Sequence, residues 1–173
     1  MSKPLVSIVM GSDSDLEIMR EAGKALDDFG IAYEIDVTSA HRSPDRSADF
    51  AKKAAERGIR VIIAGAGGAA YLAGVIAAHT ILPVIGVPIP STSLNGMDSL
   101  LSTVQMPPGI PVATVGVGAM GAANAGHLAA AMLALRDPAL RTRVKERRQK
   151  MADEVLAKNA DLPARLRELL HAK

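Results

Sequence analysis

The chain has 173 residues, enough for one domain with a substantial core. Two Tyr, two Phe and no Trp leave little for a base-stacking nucleic-acid platform, and the absence of Cys removes disulfides, thiolate chemistry and Cys-based zinc sites. The net charge of +2 is uneven: residues 1–135 carry 9 Lys/Arg against 12 Asp/Glu, residues 136–173 carry 11 against 6.

The apolar run Leu5 to Met10 is too short for a signal-peptide core, and no stretch approaches the roughly 20 apolar residues of a membrane span. The expectation is a soluble, cytoplasmic protein that meets neither membrane nor nucleic acid. The basic excess lies in Arg136, Arg141, Arg143, Lys145, Arg147, Arg148 and Lys150. Such a run can contact nucleic acid, or it can be a solvated helix face or an arm on a neighbouring subunit. Interspersed acids and apolar Val144, Met151, Val155 and Leu156 favour the second reading.

In chain order, Leu5–Met10 reads as a buried strand, and Gly11-Ser12-Asp13-Ser14-Asp15 as a loop and helix cap. Helix spacing of Ile18, Met19, Ala22, Ala25, Leu26 and Phe29 predicts a helix over 16–29, stopped by Gly30. Tyr33–Val37 is the second strand. Ser43-Pro44-Asp45 opens a helix, with Pro in the first turn, that ends before Gly58. The third strand is Val61–Ala64, broken by Gly65-Ala66-Gly67-Gly68, and a small-residue helix follows over 69–79. The fourth strand is Pro83–Val87, followed by a loop over 88–95 and a helix around 98–105. Pro111–Val115 is the fifth strand. Helices are predicted over 121–135 and 138–158, and an amphipathic turn or short helix over 162–171.

Strands alternating with helices predict a parallel sheet of about five strands, covered on both faces and doubly wound, with a C-terminal helical extension. Residues 1–158 form a single α/β domain in this reading, and 159–173 a helical tail. Ligands of such sheets bind beyond the carboxyl ends of the strands. Loops 11–15, 38–44, 65–71 and 88–96 are therefore the ones to read for chemistry. The Ala- and Gly-rich helices also suggest close subunit packing, hence an oligomer.

Loop 11–15 starts a helix, where free N–H groups and partial positive charge suit a phosphate. Ser12 and Ser14 add donors, and Asp15 can accept from ribose hydroxyls; plain capping is the alternative. The loop has no Lys and no G-x-G-x-x-G, so it is neither a P-loop nor a dinucleotide fingerprint. In Ser39-Ala40-His41-Arg42-Ser43-Pro44, Arg42 suits bidentate phosphate recognition and His41 suits proton transfer near neutrality. Gly65–Ala70 can admit a ligand close to the backbone, or can serve tight helix–sheet packing. Segment 105–111, stiffened by three prolines, is either a wall of the site or a plain turn. His79, His127 and His171 have no ligand-like partners in sequence, so no metal is expected. The absence of a Gly-x-Ser-x-Gly elbow argues against a serine hydrolase.

Taken together, Gly11-Ser12-Asp13-Ser14-Asp15, Ser39-Ala40-His41-Arg42-Ser43-Pro44-Asp45, Ile63-Ala64-Gly65-Ala66-Gly67-Gly68-Ala69-Ala70, Gly86-Val87-Pro88, Asp98-Ser99-Leu100, Val104-Gln105-Met106-Pro107 and Gly121-Ala122-Ala123-Asn124-Ala125 resemble the N5-carboxyaminoimidazole ribonucleotide mutases of bacterial purine synthesis, the class I PurE family. The resemblance covers roughly residues 5–160. It implies a three-layer flavodoxin-like sandwich assembled as a homo-octamer. It implies interconversion of the N5-carbamate of aminoimidazole ribonucleotide and its C4-carboxylate isomer, with no cofactor: no ATP, biotin or metal. His41 matches the general acid/base. Ser12, Asp15 and Arg42 match substrate-binding positions, with Ser14 and Ser39 joining them at the phosphate. Gly67, Gly68 and Ala69, with Tyr71 beyond them, belong to the loop that cradles the carboxylate or CO2.

Relatives usually continue the Gly-Gly-Ala-Ala run with His-Leu-Pro-Gly, whereas this chain reads Tyr71-Leu72-Ala73-Gly74. A tyrosine hydroxyl can still donate a hydrogen bond, but a phenol holds its proton far above neutrality, which puts in doubt any proton role carried over to position 71. That departure motivates a second reading, a carboxylase acting on aminoimidazole ribonucleotide with CO2. A third, of another class, is a non-catalytic nucleotide-binding module with a basic arm.

Overall fold

In the computed structural model, which describes residues 3–171, five parallel strands form one sheet in the order β2-β1-β3-β4-β5. They are β1 (Val6–Met10), β2 (Tyr33–Val37), β3 (Val61–Gly67), β4 (Val84–Ile89) and β5 (Ala113–Thr114). The helices between them are α1 (Leu16–Asp27), α2 (Pro44–Arg57), α3 (Leu72–His79), α4 (Met97–Val104) and α5 (Gly118–Leu133). This is the flavodoxin-like order, with its switch point between β1 and β3. The predicted fold class stands.

The layers follow from the alternation of side chains along each strand. Val9, Ile62, Ala64 and Val84 point to the face that packs Phe50, Ala51 and Ala54 of α2 and Leu72, Ala73 and Ile76 of α3. On the other face Met19 of α1 reaches Gly65, and α5 lies against α1 where Gly126 meets Ala22 and Ala25. Ile8, Ile62, Ile63 and Ile85 are fully buried. Each such side chain contributes about 1.5–3 kcal/mol relative to exposure. Central parallel strands, buried on both faces, read as the continuous apolar runs seen in β1 and β3.

Several boundaries differ from the sequence expectation. β3 does not break at Gly65: it pairs on through Gly65 with Val87, Ala66 with Pro88 and Gly67 with Ile89. The bare backbone is accommodated because Met19 fills the space beside Gly65. α3 accordingly starts at Leu72 rather than Ala69, and β4 runs two residues beyond Val87. β5 shrinks to two residues beside Pro107, Pro108 and Pro111, which offer no N–H to a ladder.

Two compact units are distinguished, one ending at Leu133 and the other beginning at Ala134. In the second, α6 (Pro138–His171) is one helix of 34 residues, where two segments separated near 159–161 had been expected. Pro163 sits inside it. Pro removes one i→i−4 bond, but the Ala-, Leu- and Arg-rich sequence on both sides favours helix and carries it through. Residues 172 and 173 of the expected tail, and the side chain of His171, lie outside the described residues. Among the described residues, no helix is long and apolar enough to cross a membrane.

Candidate active site

The carboxyl ends of β1, β2, β3 and β4 open into a cleft of about 380 Å³. It is lined by Gly11, Ser12, Ser14, Asp15, Ser39, Ala40, His41, Arg42, Ala66, Gly67, Ala70, Tyr71, Leu72 and Ser91. Eight residues singled out from sequence meet there: Ser12, Ser14, Asp15, Ser39, His41, Arg42, Gly67 and Tyr71. Gly68 and Ala69 do not line it. Gly68 takes a left-handed turn at φ 58°, which carries the chain away, and Ala69 points to solvent.

Ser12 leaves β1 in extended conformation and caps a 3₁₀ turn over Asp13–Asp15 that runs into α1. The Ser14 hydroxyl donates to Ser12 Oγ at 2.9 Å, and Ser12 Oγ donates in turn to Asp13 Oδ1 at 3.2 Å. Both hydroxyls are thus held at the mouth of the helix, where N–H groups converge. Asp15 is 7% exposed. Burial raises its carboxyl above the usual range, opposed by a hydrogen bond from the Ser12 backbone and reinforced by the charge of Asp13.

The second loop is tied to β1 and to itself. Thr38 N–H donates to Met10 O at 2.9 Å, and the buried hydroxyls of Thr38 and Ser47 meet at 2.9 Å. Ser43 Oγ donates to Ser39 O at 3.0 Å and accepts from Ser39 N–H at 3.2 Å. Arg42 spans the two loops: Nη2 donates to Gly11 O at 3.3 Å and Nε to Ser39 Oγ at 3.4 Å. These are long bonds to neutral acceptors, and among the described residues no carboxylate pairs with the guanidinium. The His41 ring stacks on Tyr71, with centroids 5.4 Å apart and planes 15° apart.

On the third side, Gly67 has no room for a side chain because Ser91 Oγ occupies that space. Thr92 Oγ1 donates to Asp98 Oδ2 at 2.6 Å, which anchors the β4–α4 loop and holds the Asp98 carboxyl below the usual range. Ser91 is the polar lining residue that sequence reasoning missed. The switch-point rule marks its loop, but nothing in Pro90-Ser91-Thr92-Ser93 distinguishes one hydroxyl from its neighbours. Segment 105–111 contributes Met106, Pro107 and Ile110 to an adjacent groove of about 670 Å³, not to this cleft. His79 lines the same groove, and His127 packs edge-on against Phe29. Among the described residues, no three His, Asp or Glu side chains are grouped to hold a metal ion.

A hydroxyl-lined helix start, an unpaired guanidinium, an imidazole and a glycine turn, all at the switch point of a flavodoxin-like sheet, define an α/β protein with a cleft suited to a small phosphorylated ligand. The AIR carboxylase family model matches residues 5–154, and the chain belongs to that family. It is 57% identical over 155 residues to the N5-carboxyaminoimidazole ribonucleotide mutase of Thermotoga maritima, covering 90% of each chain. It is 55% identical over 160 residues to the enzyme of that name from Bacillus subtilis, covering 92% of this chain and 99% of the relative. Among solved structures, PurE of Treponema denticola superposes with a TM-score of 0.82 at 31% identity, covering 92% of this chain and 98% of that one.

Proposed function

We propose that this protein is an isomerase of de novo purine (IMP) biosynthesis, which interconverts N5-carboxyaminoimidazole ribonucleotide and 4-carboxyaminoimidazole ribonucleotide. The observation that carries this reading is the convergence of His41, Arg42, Ser12 and Asp15 in one cleft, from two loops cross-tied by Arg42. In the reading, the 5′-phosphate lies against Ser12, Ser14, Ser39 and Arg42, and Asp15 accepts from the ribose hydroxyls. His41 is the general acid/base.

The chemistry asks for one proton donor that becomes an acceptor. Protonation of the carbamate nitrogen breaks the N–C bond, releases CO2 and leaves a neutral amine on an electron-rich imidazole. C4 attacks the retained CO2, forming the C–C bond, and the proton on C4 is then removed. An imidazole can give the first proton and take the second. Retaining CO2 is a matter of proximity, which Gly67 and Ala70, the two residues of that turn that line the cleft, supply with backbone rather than bulk. No cofactor is part of the proposal.

The exposed stripe of Met97, Leu101 and Val104 on α4, with Leu94 before it, supports homo-octamer assembly as part of the proposal. A light-scattering mass of eight chains is what this requires. Cytoplasmic location and a 1–158 catalytic domain with a 159–173 tail belong to the same reading. Tyr71 favours the second reading, direct carboxylation of aminoimidazole ribonucleotide by CO2. The test of His41 is His41→Asn. It should bind the 4-carboxylated nucleotide within about threefold of wild type yet lose interconversion by about 10²–10⁴-fold. Turnover retained near the wild-type rate contradicts the assignment.

A further inference from the structure

We infer that Tyr71 is a positioning residue for His41: the stacked contact between the two rings fixes the plane in which the imidazole delivers and collects its proton. The inference rests on the reading of His41 as the acid/base and adds a residue that sets its aim.

An imidazole gives and takes protons along directions that lie in the ring plane. A proton-transfer histidine is ordinarily held in orientation by a hydrogen bond at its second nitrogen. Among the described residues, no hydrogen bond reaches the His41 ring, and its ring stacks on that of Tyr71. The backbone on either side of His41 is fixed: Ala40 is buried, and Arg42 N–H donates to Ser39 Oγ at 3.2 Å. What stays soft is the terminal torsion of the histidine, which has a broad, roughly two-fold profile of its own. A parallel neighbour at 5.4 Å selects one plane from that profile, and the separation lies within the range of offset-stacked pairs.

Tyr71 is built to be the fixed partner of the two. It is the N-cap of α3, and Val75 N–H donates to its carbonyl at 3.1 Å. Its side chain stands between the cleft and the adjacent groove, lining both. Leu72, directly after it, is buried in the core beneath. The ring face, not the hydroxyl, is what His41 meets. Phe at this position should therefore serve, and a flexible aliphatic side chain should not.

The test compares wild type with Tyr71→Phe and Tyr71→Leu in the full chain. Tyr71 is 55% exposed, so neither change removes much core. A Tyr71→Met variant takes the place of the leucine variant if that one does not fold. Without substrate, the NMR signals of the His41 ring protons should lie upfield in wild type and the Phe variant, through the ring current of the stacked face. They should move downfield in the Leu variant. With substrate, the Leu variant should lose about 3- to 10-fold in kcat with KM changed less than twofold, and Phe should restore kcat. Unmoved ring signals and kcat in the Leu variant overturn the inference. So does a Phe variant as impaired as Leu, which makes the hydroxyl the working group. Wild-type protein that turns over neither carboxylated nucleotide defeats the mutase reading instead, and the ring signals still report the stack.

Discussion

Asp15 shows how burial couples the cleft to pH. Among the described residues it is the one buried acid, and burial raises its carboxyl. The folded protein therefore holds a proton there at pH values where the unfolded chain has released it. Its contribution to stability is present below the ordinary carboxylate value of 3.8 and is lost as pH rises through the raised folded value. Asp15→Asn removes that titration. Denaturant unfolding at several pH values should show the stability of the variant relative to wild type climbing as pH rises from the ordinary carboxylate range through the raised folded value, with nucleotide binding lost. A constant difference across that range contradicts this account. Asp15, His41 and Arg42 were legible in the sequence because each sits in a short polar loop directly after an apolar run. Ser91 was not, because its role arises from a backbone approach at Gly67 that no local pattern encodes.

At the level of helices and strands, the positions of small residues decide what can approach what. α5 reads in sequence as a nearly featureless Ala-Gly helix, but at Gly126 it packs directly on the backbone of α1. A Cβ there would lie 2.6 Å from the Ala22 carbonyl oxygen and 2.7 Å from Ala25 Cβ. The obstacle is backbone, so it cannot be relieved by a rotamer change. Gly126→Ala should destabilise the protein by about 1–3 kcal/mol, read as a lower urea midpoint with unchanged slope. Unaltered stability would mean that the helices can separate without cost. The helices bounded by Gly30, Pro44 and Gly58 match the expectation to within two residues, since those residues act locally: Gly30 and Gly58 adopt positive φ, and Pro44 opens α2. The end of β3 was misjudged because Gly65 breaks a strand only where the sheet does not hold it, and here β4 pairs alongside. The continuity of α6 through Pro163 is a comparable case, with neighbouring helix formers outweighing one lost bond.

Across the fold, alternation of strand and helix was enough to give a parallel doubly wound sheet, and the observed order β2-β1-β3-β4-β5 is one of the two common solutions. The sheet brings together loops distant in sequence, and the bond from Arg42 to Gly11, 31 residues apart, closes two of them onto one another. In the proposed reading, CO2 released in this cleft is recaptured before it escapes, which is what separates a mutase from a carboxylase fed by dissolved CO2. The decisive measurement follows the carboxyl carbon. N5-carboxyaminoimidazole ribonucleotide labelled with ¹³C in its carbamate is given to the protein in buffer containing unlabelled bicarbonate and no ATP, and the product is analysed at early times. The account predicts that the C4-carboxylate forms and keeps the ¹³C label. An unlabelled carboxylate, drawn from solution, or no conversion at all would contradict it.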